Sequence, residues 1–442
     1  MIVSIVSDEN RIGAGLDGQR IPGRLTESVA RMGNRISPGR IPELDGIRAV
    51  AILLVVGCHY EGFCSLLGGL PSYGWIGVDV FFVLSGFLIT SILIELRGAT
   101  SPLKVFYIRR VLRIFPIYYL MILFVSAISL ACREHMVHFG YYVSRFLFLQ
   151  SFKDAPALFH RAWTALLNMK TPRALLQRSV LPLAEQGAQL GPWANSLSAA
   201  WSLSIEEYFY ILWAPIVIFL EDRWKVAVAA GLIFGASVTM QYLGFAGEVD
   251  YFDFFCRIST IMAGSMLALF LRWRSRMPSP SQRHADTAAK ILAGCLTIPF
   301  VAILLWNRPL LGHELRDSVS FMVLGLPIFS VLLALALGWI VQRQGGTFFP
   351  LRALRWRPVR YLGTISYSLY LFHAPVYFYM LHCATAFRLS GNLVPFAVSV
   401  AALSLSITCS ALSWKYLETP ILNLKNHWAP TEARVMAGVT AG

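Results

Sequence analysis

Apolar stretches of about twenty residues recur along nearly the whole chain. A helix needs about twenty such residues to cross the roughly 30 Å hydrocarbon core of a bilayer. We therefore expect an all-α, polytopic integral membrane bundle of about ten transmembrane helices. They are expected at about 46–66, 75–96, 112–132, 203–221, 225–243, 255–271, 290–307, 318–340, 361–381 and 394–415. Only 14% of the residues are charged, against about 25% in soluble proteins. The 12 Trp and 17 Tyr suit aromatic belts at two membrane interfaces.

The net charge of +14 raises the question of a nucleic-acid partner. Its distribution argues against one. With both termini inside, 27 of the 38 Lys and Arg fall in the expected cytoplasmic segments. Most of the remainder lie in one long outer segment, and long loops weigh little in the positive-inside rule. Topology thus accounts for the basicity, and the lipid bilayer is the expected partner surface.

Residues 1–40 are polar, Gly- and Arg-rich and lack an apolar signal core, so they read as a disordered basic cytoplasmic tail. Met32 offers an alternative start to Met1. The membrane domain is expected at 41–425, interrupted by an extracytoplasmic segment at 133–202, with a cytoplasmic tail at 426–442. The short apolar run 141–149 is expected to lie in or against the membrane rather than cross it. Seven scattered cysteines without a C-x-x-C read as buried free thiols, and no metal site is expected.

The candidate chemistry lies on a few helices. Arg48 and His59 are eleven residues apart, with an almost wholly apolar stretch between them. That spacing is close to three turns, placing both on one helical face roughly 16 Å apart. Asp45 joins that face three residues earlier. His59 is expected near the middle of its span, where an ionisable side chain is a functional-site candidate, and His373 at a similar depth in the ninth span. Arg109, Arg110 and Arg113 cluster at the inner start of the third span. Asp79 is expected near the outer end of the second span, and Glu206 and Glu207 at the outer start of the fourth. Inner cations and outer carboxylates suit an anionic cytoplasmic donor and an extracytoplasmic acceptor. Arginine forks bind phosphate oxygens, as on an acyl-CoA. A neutral imidazole can take the proton of an attacking hydroxyl.

Six motifs in order carry a family resemblance. They are Ile41-Pro-Glu-Leu-Asp-Gly-Ile-Arg48 with His59, Gly77 to Leu88, Phe106 to Pro116, Trp201 to Tyr210, Ile365 to His373, and Tyr416-Leu-Glu-Thr-Pro420. Over about 41–425 the chain resembles the acyltransferase 3 family of integral membrane O-acyltransferases, the group containing O-antigen acetylases and exopolysaccharide acetyltransferases. The resemblance implies transfer of an acyl group, usually from acetyl-CoA on the cytoplasmic side, to a glycan or glycolipid hydroxyl at the membrane. A bacterial inner membrane is the implied location.

By that resemblance His59 is the catalytic base, Arg48 orients it or meets the donor, and Glu206 helps bind or orient the acceptor. Arg110 and Arg113 would hold the CoA phosphates. His373 is a further donor-binding candidate; Asp45, Asp79 and Glu418 complete the set. Two departures stand out. Ala200 precedes Trp201 where many relatives carry a bulkier residue, and no esterase-like domain follows the last span, so a separate extracytoplasmic partner is one expectation.

Plainer readings stand beside these. His59 and His373 could pack or bond within the bundle, the arginines could be inner-face anchors, and Asp79 could pair inside it. A proton-coupled transporter using His59, Asp79 and Glu206, or a non-enzymatic polysaccharide export or assembly subunit, are the alternative functions.

Overall fold

The computed structural model describes residues 41–66, 70–131, 145–148, 151, 196–244, 251–307, 315 and 318–428. The expectations for the N-terminal tail, most of the outer segment 133–202 and all but the first residues of 426–442 lie outside the described residues.

The described residues form helices and no strand. In chain order the helices are α1 (Pro42–His59), α2 (Glu61–Leu66), α3 (Ile76–Leu96), α4 (Pro102–Ala131), α5 (Trp201–Phe219), α6 (Arg223–Gly244), α7 (Phe254–Arg274) and α8 (Ser279–Trp306). They continue with α9 (Leu326–Gln342), α10 (Phe349–Leu354), α11 (Arg357–Thr364), α12 (Ser366–Ala386), α13 (Val394–Ser413), α14 (Thr419–Asn423) and α15 (Lys425–Trp428). Single π-helical turns at Phe321–Gly325 and Trp414–Glu418 precede α9 and α14.

Among the described residues, eight helical stretches are long and apolar enough to cross a membrane. Large apolar side chains such as Leu123, Phe124, Ile211, Leu232 and Ile298 remain exposed on their outer faces. A contiguous surface of that kind is what a bilayer covers. The protein is an integral membrane helical bundle. The long helices outside those eight are α1 and α12. α1 carries Glu43, Asp45 and Arg48, and α12 is rich in tyrosine and histidine. They are also the helices that carry His59 and His373.

α3 and α7 form the tightest pair, and glycines set their distance. A Cβ on Gly86 would lie 1.9 Å from the Ile261 carbonyl oxygen, and one on Gly264 would lie 2.0 Å from that of Val83. Small residues let membrane helices approach until their backbones touch. Gly77 plays the same part between α3 and α1, where a Cβ would meet the Ala51 carbonyl at 2.3 Å. Gly363 brings α11 onto the start of α1, against the Asp45 backbone. α3 is thereby fixed between α1 and α7, and Trp213 Nε1 of α5 donates to Thr90 Oγ1 of α3 at 2.8 Å. After α3, Arg97 spreads its guanidinium over the Val217, Leu220 and Glu221 carbonyls at 2.9, 2.9 and 3.1 Å. It satisfies acceptors that the end of α5 leaves unpaired.

Two boundaries differ from the sequence expectation and move functional residues. The first span was expected to run from 46 to 66; instead α1 starts at Pro42 and stops at His59. Proline is pre-organised for a first helical turn, and Tyr60 ends the helix with extended backbone angles, φ −105° and ψ 102°. The third span was expected from 112. Here α4 starts at Pro102 and runs 30 residues, about 45 Å, continuing through Pro116. The cysteines also differ: all six described are free, but Cys256 is buried while Cys295 is exposed.

Candidate active site

Tyr60 explains both the end of α1 and the position of His59. Its hydroxyl donates to the His373 carbonyl at 2.9 Å and lies 3.2 Å from Ser406 Oγ. Its ring stacks on Tyr377 with centroids 4.3 Å apart. Burying this side chain between α12 and α13 turns the backbone out of the helix. The expected mid-span position of His59 is therefore corrected: it is the last residue of α1, and its side chain is exposed.

The Tyr60 anchor sets the two histidine rings edge to face, with centroids 5.0 Å apart and planes at 67°. His59 Nδ1 lies 2.8 Å from the Val55 carbonyl, and His373 Nδ1 lies 2.6 Å from that of Tyr370. A carbonyl oxygen can only accept, so in each neutral ring the network assigns the proton to Nδ1 and leaves the lone pair on Nε2. His373 is fully buried, and its Nε2 has no hydrogen-bond partner among the described residues. Buried polar atoms are nearly always satisfied, so an open acceptor here calls for a role.

Tyr370, whose carbonyl meets His373, also packs its hydroxyl against the start of α5, the helix that carries Glu206. The Tyr370 hydroxyl donates to the Ala199 carbonyl at 2.6 Å, so Ser202 Oγ, 2.7 Å away, is the donor to Tyr370. Ser202 and Glu206 lie one turn apart on the same face of α5. Glu206 Oε1 accepts from Ser85 of α3 and Oε2 from Tyr210, each at 2.8 Å. α3 and α5 thus hold this carboxylate in one orientation.

Glu206 also lies among the arginines, which corrects the expected separation of inner cations from outer carboxylates. Arg110 and Arg113 both act electrostatically on Glu206. Arg48 feels Arg110, Glu206 and Tyr210 as well as its neighbour Asp45, whose carboxylate is 3.5 Å away. The physical reason is the length of α4. Its first turns precede the apolar stretch and carry Arg110 and Arg113 up to the level of Glu206, one turn inside α5. Arg110 is aimed by aromatic faces, lying 5.1 Å from the Tyr210 centroid and 5.6 Å from that of Phe106. Cations within about 6 Å of such a face are attracted to it. Glu418, buried in its π turn, accepts from Ser413 at 3.0 Å and acts on Arg113.

The candidate residues therefore divide. Arg48, Asp45, Arg110, Arg113, Glu206 and Glu418 form one charged group, while His59 and His373 form a separate pair beside Tyr370. Asp79 stands apart, in a fully buried ion pair with Arg257 of α7. The Arg257 guanidinium also lies over the Tyr251 ring at 4.3 Å. Sequence reading missed Arg257, Tyr370, Ser202 and Ser85 as partners. Tyr210 carried a legible signal, since it follows Glu206 by four residues.

A family model described as an acyltransferase domain matches residues 41–415. YrhL of Bacillus subtilis is 29% identical over 405 residues, covering 86% of this chain and 55% of that protein. The peptidoglycan O-acetyltransferase OatA of Listeria monocytogenes is 26% identical over 401 residues, covering 88% and 56% respectively. The O-acetyltransferase OatA of Staphylococcus aureus is 24% identical over 413 residues, covering 90% and 59%. The chain thus spans a little over half the length of the curated relatives it matches. No solved structure matches it.

Proposed function

The chain belongs to this acyltransferase domain family, and from that premise we propose that it is a membrane O-acyltransferase, moving an acetyl group from cytoplasmic acetyl-CoA to a glycan hydroxyl. The observation that carries the reading is the histidine pair. Two imidazoles meet with both Nδ1 atoms tied to carbonyls, and the buried His373 Nε2 has no partner among the described residues. The names of the relatives favour group transfer over the transport and assembly readings.

In the proposed reaction His59 Nε2 takes the proton of the acceptor hydroxyl as its oxygen attacks the thioester carbonyl carbon. The carbon–sulfur bond breaks, and the proton passes from the imidazolium to the departing CoA thiolate. The products are an O-acetyl ester and CoA. His373 lies behind His59 and keeps it company with a second imidazole lone pair, so a proton gained by His59 has an adjacent acceptor-rich environment. Arg110 and Arg113 would meet the donor phosphates, with Arg48 beside them; Glu206 offsets their charge and keeps the group from repelling itself apart. About 16 Å of helix separates Arg48 from His59, a gap suited to a donor whose phosphates and thioester lie at opposite ends of a long arm.

This reading takes both termini as cytoplasmic, the membrane as a bacterial inner membrane, and the segment 133–202 as the outer part that shapes acceptor choice, alone or with a separate extracytoplasmic partner. Purified protein in lipid nanodiscs should pass label from [14C]acetyl-CoA to a cell-wall or envelope glycan as an alkali-labile ester. Absence of labelled ester with every glycan class tested would overturn it.

A further inference from the structure

A cavity of about 420 Å³ lies beside the histidine end of α1. Its walls come from Tyr73, Trp75 and Ile76 before and at the start of α3, from Phe300, Leu304 and Leu305 near the end of α8, and from Leu315, Phe321 and Phe329. The lining is almost wholly apolar, and the volume falls in the range of about 300–1,000 Å³ typical of small-ligand sites. Nothing in the acyl-transfer chemistry above uses it.

Three observations identify what it takes. First, one wall is α8, which crosses the bundle's edge without burying a single residue. Leu305 is exposed and Leu304 half-buried, so the wall continues into the surface that bilayer lipid covers. Second, the cavity lies at the same end as His59. Gly74 packs so closely on the last turn of α1 that a Cβ there would lie 1.9 Å from the Leu54 carbonyl oxygen and 2.8 Å from Cys58 Cβ. Cys58, the residue before His59, packs on the apolar cluster of Trp75, Leu315 and Phe321 that forms the cavity floor. Third, the polar group of Asn307 and Ser320, joined at 2.8 Å, marks the end of α8 just past Leu304 and Leu305. A ligand here has hydrocarbon on the membrane side and lies toward the end of α1 that carries His59.

We infer that this cavity holds the hydrocarbon tail of a lipid-linked glycan acceptor and so delivers the glycan hydroxyl to His59. The inference rests on the acyl-transfer reading and narrows its substrate to a membrane-anchored one. A tail seated between α8 and the start of α3 fixes one end of the acceptor, and its sugar then samples the space beside His59 at high effective concentration.

The test compares one disaccharide acceptor with and without a long alkyl tail, using wild-type protein, Leu304→Trp and Leu304→Ala in nanodiscs. Leu304→Trp fills the cavity from its peripheral wall, where folding is least at risk. The wild type should favour the tailed acceptor in kcat/KM by about tenfold or more. Leu304→Trp should remove most of that preference through KM and leave the tail-free acceptor unchanged, and Leu304→Ala should retain it. An unchanged preference in Leu304→Trp would overturn the inference. So would a change in choice between acetyl and longer acyl donors with the acceptor preference unmoved, because the cavity would then hold the donor's chain.

A second readout does not need turnover. A tail carrying an alkyl diazirine should photo-label residues 300–305 in the wild type and lose that label in Leu304→Trp. Labelling elsewhere, or unaffected labelling, would overturn the inference. Correct labelling without acetyl transfer to any acceptor would overturn the acyl-transfer reading instead.

Discussion

His59 and His373 meet edge to face at 5.0 Å although 313 residues separate the anchoring Tyr60 from the carbonyl it binds at His373. The contact places an exposed imidazole against a buried one whose Nε2 has no partner among the described residues. A purely structural histidine would spend both nitrogens, so the pair separates catalytic from packing roles by experiment.

His373→Ala should lower kcat by about 100-fold, a typical loss for a group acting on proton transfer. His373→Gln places a polar atom near the Nε2 position and should keep more activity than His373→Asn, which mimics Nδ1. Steady-state rates for the three variants, with folding checked by size-exclusion elution in detergent, decide this. Equal rates for Gln and Asn would assign His373 to packing.

The Arg110→Ala, Arg113→Ala double variant should raise the KM for acetyl-CoA by about tenfold or more while the KM for the acceptor stays unchanged. Loss of two phosphate-facing guanidinium groups is a binding defect. Unchanged donor KM would return both residues to the role of membrane-edge anchors.

Glu206 accepts from Ser85 and Tyr210 and compensates the arginines. Tyr210→Phe removes one hydrogen bond and should cost about 1–3 kcal/mol, since the bond is to a charged group. Glu206→Ala should cost more, because it leaves neighbouring guanidinium groups uncompensated. Thermal unfolding in one detergent gives the order; a Tyr210→Phe protein less stable than Glu206→Ala would contradict it.

Asp79 and Arg257 form a fully buried pair that ties α3 to α7. Removing either partner alone should destabilise by about 3–5 kcal/mol, whereas Asp79→Leu with Arg257→Met should recover much of that loss, since an apolar pair replaces a buried ionic one. The recovered double variant should keep its transfer activity. Recovery of stability with no activity would make the pair part of the reaction site.

The helical bundle was legible because apolar runs of membrane length admit little else, and the six ordered motifs pointed to the residues around the site. Three features were hidden for one reason: each depends on a partner far away in sequence. The break after His59 comes from Tyr60 binding the His373 carbonyl and stacking on Tyr377, so the local apolar pattern alone extended the helix to 66. Arg257 stands near the start of an apolar run with no local partner in sequence, and only its approach to Asp79 reveals a buried ion pair. Glu206 seemed remote from Arg110 because span ends were placed by hydropathy, whereas α4 starts ten residues earlier than expected.

The central claim is that His59 is the base for acyl transfer. Its direct test is the single-turnover rate of acetyl transfer from [14C]acetyl-CoA in nanodiscs for wild type and His59→Ala, with acetyl-CoA binding measured on the same samples. The account predicts that the rate falls by at least about 100-fold while donor binding, centred on arginines three helical turns away, changes little. A His59→Ala protein that transfers acetyl at the wild-type rate would contradict it.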